Sequence, residues 1–208
     1  IPDEASVWIW VRDSKRSGVT VVEERMKEIA KGAALMAGVQ VDMKLNNGLY
    51  ELLINETGAK VLHANMQLVG PIQYTKEETD FANNIMKEYG NDQLGIDGSI
   101  KPIEVTRPDP DGGSTDVGDV SYIVPEISLN ATTAPYKSPW HSWVVVACGG
   151  MSIGHKGMLF AAKSMATTMV DLFENEKLRI DIRKEFEQRK GKEVWKALIP
   201  DGPPPVPR

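Results

Sequence analysis

Residues 5–12 read Ala5-Ser6-Val7-Trp8-Ile9-Trp10-Val11-Arg12. Val7, Ile9 and Val11 alternate with Trp8, Trp10 and Arg12, and a period of two is the pattern of a strand with two different faces. A polar turn, Asp13 to Gly18, follows. Thr20 with Glu23 three positions on fits a capping box. Val22, Met26, Ile29, Ala30, Ala33 and Ala37 then mark one helical face, and Gly38 supplies the stop. Val39, Val41, Met43 and Leu45 alternate with Gln40, Asp42 and Lys44, which predicts a second half-buried strand, broken at Asn46-Asn47-Gly48. Strand, helix and strand in this order make a β-α-β unit, too small to be stable alone. The expectation is therefore an α/β fold that needs further strands. A chain that enters a strand pattern almost at once, with no initiator Met, reads as a piece of something longer.

Beyond residue 54 the pattern turns helical. Leu62, Met66 and Val69 share a helix face that stops at Gly70-Pro71. Thr75 and Glu78 form another capping-box pattern ahead of Phe81, Ile85, Met86 and Tyr89, and Gly90 closes that helix. Gly, Pro and Asp crowd residues 90–120, where Arg107-Pro108-Asp109-Pro110 and Asp111-Gly112-Gly113-Ser114 read as an ordered loop leading into a short helix. Residues 126–131 read as a strand and 143–147 as an apolar element. Residues 158–173, apolar on most faces, predict a well-buried helix. A charged helix over about 182–189 precedes an extended proline-rich tail at 203–207.

Composition excludes several classes. The chain has 208 residues, 41% of them hydrophobic, enough for a core in one ordinary domain or two small ones. Lys and Arg number 24 against 29 Asp and Glu, a net charge of −5, which argues against a nucleic-acid partner. No apolar run reaches the length of a membrane span. One cysteine, Cys148, excludes an intramolecular disulfide scaffold and a four-cysteine zinc module. Three histidines, His63, His141 and His155, leave few options for a metal centre built by this chain alone.

Four places carry residues suited to chemistry. In Pro139-Trp140-His141-Ser142-Trp143, a histidine in a dry aromatic setting is a good zinc or manganese ligand; the plain alternative is a hydrogen-bonded histidine beside packed rings. In Gly112-Gly113-Ser114-Thr115-Asp116-Val117-Gly118-Asp119, glycines allow close backbone approach, Ser114 or Thr115 suits a helix cap, and Asp116 and Asp119 fall on one helical face. The alternative there is one capping and one solvated aspartate. Ile153-Gly154-His155-Lys156-Gly157-Met158 sets two basic side chains ahead of the long helix, where an anion could sit or where the helix start is simply solvated. Arg12, on the face of Trp8 and Trp10, suits a carboxylate or a solvent-facing sheet.

In this order and spacing, the Gly112–Ser121, Pro139–Trp143 and Gly154–Met158 blocks resemble the dinuclear metallo-amidohydrolases of the aminoacylase and glutamate-carboxypeptidase type, and in particular their aminobenzoyl-glutamate-utilising members. Residues 7–12, the helix after them, Tyr74-Thr75-Lys76-Glu77-Glu78 and the stretch from Glu185-Phe186 to Pro200 extend the likeness over nearly the whole chain. The resemblance implies a zinc-exopeptidase-like α/β catalytic domain with an inserted α+β lid through which the protein homodimerises. On that template residues 1–54 are the C-terminal part of the lid and 55–208 the C-terminal part of the catalytic domain. His141 matches a metal ligand of a zinc or manganese site. Arg12 matches a lid arginine that holds a substrate carboxylate, and Gly113, Ser114 and Thr115 match a loop lining the substrate pocket. Asp116, Asp119 and His155 are further candidates, and the resemblance assigns no role to His155 or Lys156. The family's remaining ligands and its paired-glutamate motif have no counterpart here. Hydrolysis of an acyl-glutamate amide needs a polarising metal, its bound water and a glutamate base. The resemblance therefore implies a cytoplasmic C-terminal portion, inactive alone, that needs the N-terminal half, with a small acyl-amino acid as substrate and neither nucleic acid nor membrane as partner. The competing reading is a non-catalytic assembly module whose sheet edges pair with another chain.

Overall fold

The computed structural model describes residues 3–103 and 113–203. Among them lie seven helices: α1 (Arg16–Ala37), α2 (Glu56–Val69), α3 (Lys76–Tyr89), α4 (Val117–Ser121), α5 (Trp143–Gly149), α6 (Ser152–Glu174) and α7 (Glu176–Lys190). The chain forms two compact units. One comprises Ile1–Leu53, Arg107–Val124 and Lys190–Arg208; the other comprises Ile54–Thr106 and Pro125–Arg189.

The second unit holds the larger core. Ile85 and Met86 of α3, Ala134, Val144 and Cys148 of α5, and Ile153 of α6 form one buried cluster. Each fully buried Ile, Met or Val side chain in it contributes about 1.5–3 kcal/mol. The capping box that opens α3 is complete: the Thr75 hydroxyl accepts from Glu78 N at 3.2 Å and Glu78 Oε2 accepts from Thr75 N at 2.7 Å. Gly90, at φ 89°, ends that helix in the left-handed conformation a glycine adopts at least cost. Helix α2 starts at Asn55, whose side-chain oxygen accepts from Gly58 N at 2.9 Å while its amide donates to Ile182 O of α7 at 2.9 Å. Helix α2 packs on α6, where Asn65 donates to Asp171 at 2.6 Å. Gly157 lets α6 ride directly on residues 132–133: a Cβ there would stand 2.4 Å from the Thr132 carbonyl oxygen.

The first unit is built on Tyr50 and α4. The Tyr50 and Tyr122 rings lie 4.8 Å apart, and both residues are buried. Leu53 N donates to Ser121 Oγ at 2.8 Å, and Lys196 N donates to the Tyr50 hydroxyl at 3.3 Å. A Cβ at Gly118 would stand 2.1 Å from the Tyr50 carbonyl oxygen, so no other residue fits that approach.

The expected α/β fold is corrected. Helix takes up 52% of the structure, and no strand occurs among the described residues. Residues 5–12, 39–45 and 126–131 do run without helix, but none pairs with a neighbour, and a strand exists only as a member of a ladder. Alternation reports a chain suited to half-burial and not its pairing. In this structure Trp8 and Trp10 remain 74% and 66% exposed. The apolar element at 143–147 is helix α5. Helix α1 begins at Arg16, four residues before Thr20, whose hydroxyl donates to Arg16 O at 3.1 Å inside the helix; the expected Thr20–Glu23 capping box is not formed. Helix α6 begins at Ser152, so residues 153–157 lie within it and not ahead of it. It is buried on one face only, not on most. The loop at 104–112 and the tail at 204–208 lie outside the described residues.

Candidate functional site

The residues singled out from the sequence divide between the two units. In the second unit, His141 stands on the turn between Pro135 and α5. Its backbone is left-handed, φ 63°, and so is that of Lys137, φ 58°. Left-handed backbone in a residue with a Cβ costs on the order of 1–2 kcal/mol and is held only where neighbouring contacts impose it. Those contacts are visible. Ser138 Oγ donates to Pro135 O at 2.8 Å, and Ser142 Oγ donates to Pro139 O at 2.6 Å, closing two successive turns. Trp143 opens α5 with its ring 5.9 Å from that of Tyr89. His141 is exposed, and Trp140 and Trp143 also face solvent.

Helix α6 carries His155 and Lys156 in its first turns. His155 is exposed, with its backbone N–H bonded to Met151 O. Lys156 is not free to hold an anion, because its charge is engaged. Its Nζ donates to Glu78 Oε2 at 2.6 Å and to Gln73 O at 2.9 Å, and lies 5.6 Å from the Tyr74 ring centre. Burial pushes the Glu78 carboxyl up. Hydrogen bonds from Lys156, Ser152 and Thr75 outweigh that and bring it down to about 2. Burial, helped by the Glu78 charge, pushes the Tyr74 hydroxyl up to about 12. Lys156 thus ties the start of α6 to the start of α3. The capping pattern singled out Glu78; its partner 78 residues away had no local signal.

A second carboxylate missed in the sequence does similar work. Glu185 of α7 sits at the N-terminus of α2, accepting from Glu56 N and Thr57 N, both at 2.8 Å, and from the Thr57 hydroxyl at 2.6 Å. Arg189 adds a bond at 2.6 Å. Burial raises this carboxyl, but these donors hold it at about 2. Cys148 is fully buried, and that burial pushes its thiol up, away from the reactive thiolate.

In the first unit, Arg12 lies over Trp10, 5.3 Å from its ring centre, with Trp8 and Trp10 5.8 Å apart. Arg12 is exposed on unpaired extended chain. Gly113, Ser114 and Thr115 are exposed, and Gly112 lies outside the described residues. Thr115 Oγ1 accepts from Val117 N at 3.3 Å, a weak cap for the five-residue α4. Asp116 is the N-cap residue, exposed and without a side-chain cap bond. Asp119 points into the unit, where its two oxygens accept from Tyr50 N at 3.4 Å and Trp195 Nε1 at 2.7 Å. Those bonds give Asp119 a structural task.

Among the described residues no group of three or more His, Cys, Asp or Glu side chains is arranged to hold a metal ion. His141 offers one imidazole, and the described residues do not complete a site around it.

Compared with known proteins, the chain is similar to one of the subunits of the p-aminobenzoyl-glutamate hydrolase of Escherichia coli (strain K12). The two are 28% identical over 229 residues, which cover 98% of this chain and 47% of the relative. The chain thus spans about half the length of the curated relative it matches. That relative is, by name, part of a hydrolase, and the resemblance drawn from the sequence motifs stands. No family model matches, and no solved structure matches.

Proposed function

We propose that this chain contributes substrate-holding residues and one metal-ligating histidine to a hydrolase of acyl-glutamate amides such as p-aminobenzoyl-glutamate, with the rest of the catalytic set on the N-terminal half that this sequence does not span. The observation that carries the reading is similarity along almost the whole chain to one component of that hydrolase. The left-handed backbone of His141 supports it, because strain maintained at an exposed histidine indicates that the position of the imidazole matters more than stability. In this reading His141 supplies one nitrogen to a zinc or manganese site whose other ligands lie on the N-terminal half. Arg12 holds a substrate carboxylate, Gly113, Ser114 and Thr115 line the substrate pocket, and the first unit pairs with a second copy. The exposed helix α1, which buries none of its 22 residues, supports such pairing. It equally supports the alternative of a non-catalytic assembly module.

The test uses the purified chain, p-aminobenzoyl-glutamate and added zinc or manganese. The chain alone should give no hydrolysis. The same chain with the portion of the E. coli relative it does not span should give hydrolysis, and His141→Ala should remove it. Turnover by the chain alone, or indifference to His141→Ala, overturns the reading. Absence of turnover from a stable assembly would favour the assembly module. His141→Gly should also lose turnover while stabilising the chain by about 1 kcal/mol, because glycine accepts the left-handed backbone without strain.

A further inference from the structure

Helix α6 is apolar on two sides. Its inner side buries Ile153, Phe160, Ser164 and Thr168 against the second unit. Its outer side presents Met158, Leu159, Met165, Met169, Val170 and Phe173, each between 49% and 79% exposed. Ala162 and Ala166 fill the space between them. At 100° per residue, the outward arc from Met165 through Phe173 to Leu159 contains no acidic residue and no Lys or Arg; His155, near the helix start, is its one polar side chain. A contiguous exposed apolar patch marks a contact surface. Three methionines give this surface flexible, polarisable side chains that adapt to an irregular partner.

We infer that the outer face of α6 is the packing surface for the portion that completes the hydrolase, namely the part corresponding to the stretch of the relative that this sequence does not span. The inference rests on the reading of function above. The chain accounts for 47% of the relative's length, so slightly more than an equal length of polypeptide remains to be packed against it. An uncharged face four turns long calls for a large apolar partner surface and offers no ionic contact to a charged peptide. Helix α6 belongs to the second unit, so a pairing of copies through the first unit uses a different surface.

The experiment reads methionine oxidation. The purified chain, alone and mixed with the unmatched portion of the E. coli relative, is exposed to dilute hydrogen peroxide, and sulfoxide is located by peptide mass spectrometry. In the chain alone Met158, Met165 and Met169 should oxidise readily at every protein concentration. In the mixture they should lose that reactivity, and the two polypeptides should co-purify. Met165→Glu combined with Phe173→Glu should abolish co-purification with helix content unchanged by circular dichroism. Three results overturn the inference: α6 methionines that stay reactive in a complex, co-purification that survives the double substitution, or protection in the chain alone that grows with its concentration, which would make the occupant a second copy. A complex that forms through α6 without hydrolysis would sink the proposed function and leave this surface assigned.

Discussion

Helices α1 and α3 carry the same starting signal, Thr followed three residues later by Glu, and only α3 uses it. At α3 the Thr75–Glu78 box is closed in both directions, and four residues of the helix are buried. At α1 the helix runs back past Thr20 to Arg16, whose N–H donates to Glu51 at 2.8 Å, and no residue is buried. A capping box is worth about 1 kcal/mol, enough to choose a helix start only where packing also favours that start. Glu78 is fixed by Lys156 from α6 as well as by Thr75. Glu23 of α1 is instead paired with Lys27 at 3.0 Å and Arg16 at 3.6 Å, on the helix surface. The difference teaches that a local motif becomes structure when a distant residue makes it costly to do otherwise.

The strongest way to break either unit is at a contact that admits no adjustment. Gly118→Val should cost about 3 kcal/mol or more and unfold the first unit, because its Cβ would overlap a backbone oxygen. Loss of the Tyr50–Tyr122 near-ultraviolet dichroism would show it, and a variant with unchanged melting would refute the close approach. Lys156→Met comes next. It leaves the buried Glu78 carboxylate without its cation, at a cost of about 2 kcal/mol, reduced from the fully buried case because Lys156 is partly exposed. Glu78→Gln should partly rescue that variant in urea unfolding.

Acid sharpens the same contrast. The Glu78 and Glu185 carboxyls sit at about 2 in the fold against 4.5 as ordinary glutamates. Between those values the unfolded chain binds more protons than the folded one, so stability falls as pH falls. The contribution is complete above about pH 4.5 and gone below about 2. Far-ultraviolet dichroism followed from pH 5 to 2 should show loss of structure across that window, weaker in Glu78→Gln. The smallest effect separates the two boxes directly. Thr75→Ala should cost about 1 kcal/mol, and Thr20→Ala no more than about 0.5 kcal/mol, because only Thr75 satisfies a helix-end N–H. Equal costs would mean that the two helices start alike.

Much of the local structure was legible. The Gly38, Gly70 and Gly90 stops, the Thr75 box, and helices near 58–69 and 182–189 follow from residues within one or two turns. The candidate site was legible as chemistry and not as arrangement. His141 stood out by its neighbours, but its left-handed backbone depends on two serine–carbonyl turns. Lys156 and Asp119 looked available for a ligand. Each proved to be engaged by a group about 70 to 80 residues away in sequence.

Sequence by itself determined what neighbours along the chain decide: helix ends, net charge, the order of the motif blocks and the resemblance they carry. Tertiary structure alone decided which apolar faces are covered, whether alternating segments pair, and which charged side chains remain free. The physical reason is range. Capping and left-handed stops are settled within four residues, whereas burial, ladder pairing and salt bridging need a partner from elsewhere. The alternation at Val7–Arg12 has no such partner among the described residues, and so it remains extended chain and not a sheet.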